Sequence, residues 1–199
     1  MARLGTALGR FHRVHASPLL FDAAGAAARM ARYAEAIGTP RGPLSRLPAW
    51  LAPLHTRAIT GSSALTLKGI DLRNLLIDDR GAVTLLDPGR LKRTHAEADL
   101  ARFILTYRIA HWGSPWFALV GSPDARAEAA FVRGYAGAAA LQPELLRVYL
   151  VKEILKHWHT ALEVLRLRNQ GALASRVTRA LYINRFYARQ LARELRRPL

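Results

Sequence analysis

Leu4, Leu8, Phe11 and Val14, with Ala7 between them, recur at intervals of three and four, which predicts a first helix over residues 2–15. Ser17-Pro18 interrupts that pattern. An Ala-rich stretch with Met30 and Tyr33 on one side predicts a second helix over residues 22–37. Residues 38–61 hold Pro40, Pro43, Pro48 and Pro53 among several glycines, so any helix there is short and most of the stretch reads as loop. The period then changes. Residues 63–68 alternate polar and apolar, as a half-buried strand does. Residues 74–78 and 82–86 are short apolar runs joined by Asp79-Arg80-Gly81, the signature of a β-hairpin. These are the only strands the pattern supports.

From Thr94 onward the chain reads as helical. Thr94 and Glu97 have the T-x-x-E spacing of a capping box ahead of Leu100, Phe103, Ile104 and Tyr107. A Gly/Pro/Trp break follows at 111–116, and Pro123 suits the first turn of a helix ending near Gly137. Pro143 opens a long helix through Leu145, Val148, Leu155, Trp158 and Leu162, ended by Asn169-Gln170-Gly171. A last helix over about residues 172–195 turns Val177, Leu181, Phe186 and Leu191 inward and its arginines outward. The expected fold is mainly α with a small β-hairpin, a single domain over residues 1–199.

Composition changes this picture only through charge. The 199 residues are 51% hydrophobic and 22% charged, ordinary for a globular chain. No apolar run approaches the length of a membrane span, and the start lacks the order of a signal peptide. Cysteine is absent, which removes disulfides and thiolate metal sites and fits a cytoplasmic protein. Thirty Lys and Arg against 14 Asp and Glu give a net charge of +16. Such a surface attracts phosphates, nucleic acid or an anionic membrane face, although an Arg-rich composition with solvated helix faces produces the same count.

The chemistry concentrates in residues 68–89, KGIDLRNLLIDDRGAVTLLDPG. Asn74 leaves a polar loop and enters a strand; Asp87 ends the returning strand thirteen positions later. A hairpin of that length brings both side chains to one end. An amide oxygen and a carboxylate together suit Mg²⁺, which takes oxygen ligands and shares them with phosphates.

This segment resembles the catalytic and metal loops of the protein-kinase-like superfamily, especially its aminoglycoside, choline and lipopolysaccharide-sugar kinase branches. Asn74 matches the asparagine of the family's His-x-Asp-x-x-x-x-Asn loop, and Asp87-Pro88-Gly89 matches its Asp-Phe-Gly triplet with Pro in place of the aromatic residue. Asp99, in the Asp-Leu-Ala start of the next helix, corresponds to the buried acid that steadies the catalytic loop. Leu4-Gly5-Thr6-Ala7-Leu8-Gly9-Arg10-Phe11-His12 resembles the helix that opens the C-terminal lobe of these kinases. The resemblance covers most of residues 1–110 by order of elements, and about 35 of them by specific motif.

The resemblance implies the C-lobe of an aminoglycoside phosphotransferase-like fold, with catalytic and metal loops in 63–99 and a helical subdomain in 100–199. It implies ATP and Mg²⁺ as cofactors, with Asn74 and Asp87 on the metal and Gly89 beside the nucleotide. There are two departures. Gly69 holds the position of the family's catalytic Asp, and the nearest carboxylate is Asp71, three residues before Asn74. Either the loop is two residues shorter and Asp71 is the base, or the base is absent and Asp71 is a loop residue pairing with Arg73. Lys68 stands near the expected His and either meets a transferring phosphate or ends a strand in solvent. No sheet-rich N-terminal lobe precedes residue 1, so a truncated chain, a fragment or a partner bringing that lobe is expected.

The high positive charge favours an anionic acceptor, such as a lipopolysaccharide sugar at the inner membrane face, over a cationic aminoglycoside. A degenerate kinase-like binding module is the first alternative. A basic helical nucleic-acid-binding protein is the second, disfavoured because the arginines are scattered and no helix-turn-helix stands out. Asp78 and Asp79 read as turn-shaping, and His157 and His159 as packing or surface residues. The tryptophans read as core, with a sugar-stacking role open to Trp112 and Trp116.

Overall fold

The computed structural model describes residues 1–38, 42–67, 70–87, 89–112, 125–168 and 182–199. The protein is mainly helical with small antiparallel sheets, as the hydrophobic pattern predicts. Among the described residues no helix is long and apolar enough to cross a membrane. The chain forms two compact units, Met1–Phe21 with Thr60–Tyr149, and Asp22–Ile59 with Leu150–Leu199.

The first unit contains helices α1 (Ala2–Arg13), α4 (Glu97–Trp112), α5 (Ala125–Ala136) and the start of α6 (Pro143–Arg168). It also contains strands β1 (Ser17–Leu20), β2 (Thr60–Leu67), β3 (Leu75–Ile77), β4 (Val83–Leu85) and β5 (Leu91–His95). β1, β2 and β5 make one antiparallel sheet in the order β1-β2-β5, with Ser17 opposite Ser63 and Ser63 opposite His95. β3 and β4 make the expected hairpin, with Leu75 opposite Leu85 and Ile77 opposite Val83. Its turn is closed by Gly81 N–H donating to the Asp78 carbonyl at 2.8 Å, and Gly81 takes a φ of 78° that a side chain would resist. Asp78 Oδ1 also accepts from Ala82 N–H at 2.7 Å, so its turn-shaping role holds.

β1 and β5 correct the expectation of fewer strands. Pro18 reads as a break because it has no N–H, yet β1 is an edge strand, where proline is tolerated. β5 is Leu-Lys-Arg-Thr-His, a polar edge whose charged side chains discourage further pairing. It also overturns the capping box. Thr94 pairs with Ala64 inside β5, and α4 begins only at Glu97. Glu97 instead accepts the Gln142 N–H at 2.9 Å.

α1 packs on α5, and the reason is local. A Cβ at Gly5 would overlap the Phe131 carbonyl and one at Gly134 would overlap the Ala2 carbonyl; one at Gly9 would lie 2.8 Å from the Ala138 Cβ. The glycines therefore permit close backbone approach. Leu4 and Leu8 of α1, Leu100, Phe103 and Ile104 of α4, and Phe131 of α5 are all buried. Phe11 and Val14, expected on the same apolar stripe, are exposed, and His12 is buried in their stead.

The second unit holds α2 (Ala23–Ile37), whose N-cap Asp22 accepts from Gly25 N–H at 2.8 Å. α3 (Leu47–Leu51) follows, flanked by 3₁₀ turns at Gly42–Arg46 and Ala52–His55, in the stretch expected to be mostly loop. The rest of α6 and α7 (Arg185–Glu194) complete it. Trp158 stacks on Tyr187 and donates to Asn184 Oδ1 at 2.9 Å, which makes it a packing residue as read. His159 packs near the Tyr33 ring and His157 lies 3.6 Å from Glu153. The expected features at Pro123, Trp116, 169–171, Val177 and Leu181 lie outside the described residues.

Candidate functional site

The site is built where β2 ends and the β3–β4 hairpin begins. Lys68, Gly69 and Pro88, all singled out in the sequence, lie outside the described residues. Ile70 is buried and anchors the loop. Asp71 follows as the N-cap of a single 3₁₀ turn, Leu72–Asn74, accepting from the Arg73 N–H at 3.1 Å.

Asp71 does more than cap. Its Oδ1 also accepts from Arg73 Nε at 3.1 Å, and its Oδ2 from Arg73 Nη2 at 2.9 Å. This is a forked guanidinium–carboxylate pair. The Asp71 side chain is 11% exposed and the Arg73 side chain 86%. Arg73 holds the Asp71 carboxyl below the ordinary carboxylate range, burial opposing it. The carboxylate is therefore ionised, weakly basic and occupied on both oxygens.

Asn74 is half-buried, and its carbonyl accepts from Leu86 N–H at 2.8 Å. That bond closes the open end of the hairpin, one residue before Asp87. The backbone thus returns Asp87 to the end at which Asn74 entered, as the thirteen-residue spacing predicts. Asp87 is exposed, and its Oδ1 accepts from Gly89 N–H at 2.9 Å. Gly89 has a φ of 62°, the left-handed conformation that lets this tight turn form. Asp87 Oδ2 and the Asn74 amide oxygen are the hard donors Mg²⁺ prefers. Among the described residues no group of three His, Asp or Glu side chains could hold a metal. Two oxygen donors fall short of an all-protein cage, so an ion held by them would take its other ligands from water or phosphate.

Asp99 lies behind the loop, 4% exposed, in the first turn of α4. Its Oδ2 accepts from the backbone N–H of Leu67 at 2.6 Å, at the end of β2, and lies 3.1 Å from His12 Nε2. Burial raises the Asp99 carboxyl above its ordinary range, while His12 and the Leu67 amide pull it back. The field of Arg102 reaches both Asp71 and Asp99, and its Nε is buried without a hydrogen-bond partner among the described residues.

Sequence reasoning named Asp71, Asn74, Asp87, Gly89 and Asp99, and it quoted His12 only as the end of a motif. It missed Tyr135 and Arg102. The available signal for His12 was a polar residue four positions after Leu8 on an apolar stripe. Comparison with known protein families finds no match, and no curated protein matches the chain either.

Proposed function

We propose that the chain is a phosphotransferase of the protein-kinase-like type, moving a phosphoryl group from ATP to a hydroxyl of a small-molecule or glycolipid sugar acceptor. The observation that carries this reading is the closure of the hairpin at Asn74 and Leu86, which returns the backbone at Asp87 to the end where Asn74 lies. Asn74 and Asp87 would hold Mg²⁺, with Gly89 keeping the turn that aims Asp87. The ion would neutralise charge on the phosphates. Asp71 would orient the acceptor hydroxyl, and Lys68 would meet the transferring phosphate. Asp99 supports the loop by fixing the Leu67 amide. The excess of 30 basic over 14 acidic residues supports an anionic acceptor and a position on the anionic inner face of a membrane.

One observation favours a second reading, a kinase-like module that binds without turnover. Arg73 pairs with both oxygens of Asp71 and holds its carboxyl below the ordinary range, which leaves it a weak base toward an acceptor hydroxyl. Calorimetry with Mg-ATP on the parent and on Asp87→Ala tests the first reading. Binding that vanishes in the variant supports it. A folded parent that gives no heat removes it. Binding without phosphoryl transfer to any sugar acceptor selects the second.

A further inference from the structure

The Asp99 carboxylate is held in turn by groups from two other helices, and their order has a chemical direction. His12 on α1 presents Nε2 to Asp99 at 3.1 Å and Nδ1 to the Tyr135 hydroxyl on α5 at 3.1 Å. All three side chains are buried, and the His12 and Tyr135 rings meet edge to face at 5.7 Å. An imidazole beside a carboxylate donates from the nitrogen that faces it. The other nitrogen then accepts, and the Tyr135 O–H is the donor it meets.

The helices that carry these groups can approach closely only because Gly5, Gly9 and Gly134 have no Cβ. Thr6 Oγ1 lies 3.1 Å from the Gly134 carbonyl across the same contact and 3.1 Å from the Ala2 carbonyl of its own helix, and its one proton serves either. Glu97 and Arg102 on α4 also act on this cluster through their charges, Glu97 on His12 and Tyr135, Arg102 on Asp99.

We propose that Tyr135 and His12 are positioning residues for the end of β2: the Tyr135 hydroxyl fixes the His12 tautomer, His12 Nε2–H aims the Asp99 carboxylate, and Asp99 holds the Leu67 amide. The Leu67 amide is thereby held from α5, 68 residues further along the chain. Neither residue touches substrate. The consequence for phosphoryl transfer rests on the function proposed above; the consequence for the backbone does not.

Two measurements on the full chain test it. The imidazole ¹⁵N shifts of His12 report the tautomer directly, and the Nε2–H form is expected. An Nδ1–H form or a doubly protonated ring at neutral pH overturns the proposal without any substitution. Tyr135→Phe then keeps the ring and removes only the hydroxyl. Amide exchange at Leu67 is expected to quicken by about tenfold, the size of losing one hydrogen bond to a charged group, while exchange at Leu100 is unchanged. Unchanged protection at Leu67 in both Tyr135→Phe and His12→Asn overturns it. If the parent turns over ATP, Tyr135→Phe lowers kcat and leaves KM for ATP in place. A parent inactive toward Mg-ATP defeats the proposed function, while the tautomer and the Leu67 exchange still decide this inference.

Discussion

Replacing Gly5 by Ala adds one methyl group at the α1–α5 contact. The new Cβ would overlap the Phe131 carbonyl oxygen and lie 2.8 Å from the Tyr135 backbone nitrogen. Both neighbours are main-chain atoms of a packed helix, so no side chain can swing away and the helices must separate. Overpacking of this kind costs about 3 kcal/mol when it falls on backbone. Alanine returns about 1 kcal/mol through its better helix propensity. A net loss of about 2 kcal/mol remains, which for a chain of this size lowers Tm by roughly 4–8 °C. Gly137→Ala is the matched control. A Cβ there meets only Arg133 O at 3.5 Å and Gly134 O at 3.7 Å, and its φ is outside the left-handed region. It should be neutral or stabilising by up to about 1 kcal/mol. Thermal and urea melts followed by circular dichroism decide the matter. A Gly5→Ala variant as stable as the parent, or a Gly137→Ala variant that falls as far, would refute the packing argument.

Three further outcomes follow from the same geometry. Gly81→Ala forces a side chain into a φ of 78°, at a backbone cost of about 1–2 kcal/mol, and pushes the Arg3 guanidinium aside; faster amide exchange in 75–85 with an unchanged core reports it. Burial raises the carboxyls of Glu97 and Asp99, so each binds its proton more tightly in the folded chain. That contribution to stability is complete below the ordinary carboxylate range and is lost as pH rises through the raised folded values. Asp71, lowered by Arg73, runs the other way, its contribution present above the ordinary value and lost as pH falls. Glu97→Gln should therefore lose less stability than the parent as pH rises from the ordinary carboxylate range in a series of melts, and a parallel dependence in the two proteins would contradict the assignment. Arg73→Met takes the guanidinium off both oxygens of Asp71 and leaves only the residue-73 backbone N–H on Oδ1. Under the phosphotransfer reading it raises acceptor turnover or leaves it unchanged, measured by transfer of labelled phosphate, and a complete loss would assign Arg73 itself to the reaction.

What was legible in the sequence was what is decided locally. The hairpin between Asn74 and Asp87 is set by an Asp-x-x-Gly turn and two apolar runs, all within fourteen residues. Helices α2 and α6 follow from their apolar period and from the cap at Asp22 and the proline at 143. What was not legible depends on distant partners. β1 exists because Ser17 finds Ser63, and β5 because residues 91–95 find β2; neither is marked by its own composition. Thr94 had the spacing of a helix cap, but strand pairing with Ala64 took it first. The relay behind the loop joins residues 87 and 123 positions apart, His12 to Asp99 and His12 to Tyr135. No pattern within a single helix announces such contacts. Gly5 and Gly9 were visible as glycines, yet their purpose, the close approach to α5, appears only when the helices are set together.

The most direct test of a phosphate-sharing metal site uses the ion itself. Mn²⁺ with ATP substitutes for Mg²⁺ and broadens the NMR signals of nuclei close to it. The account predicts that the side-chain amide of Asn74 and the backbone amides of Asp87 and Gly89 broaden together, only when ATP is present, and that Asp87→Ala abolishes the effect. Broadening absent from these three signals in a folded chain, or unaltered in Asp87→Ala, would contradict it.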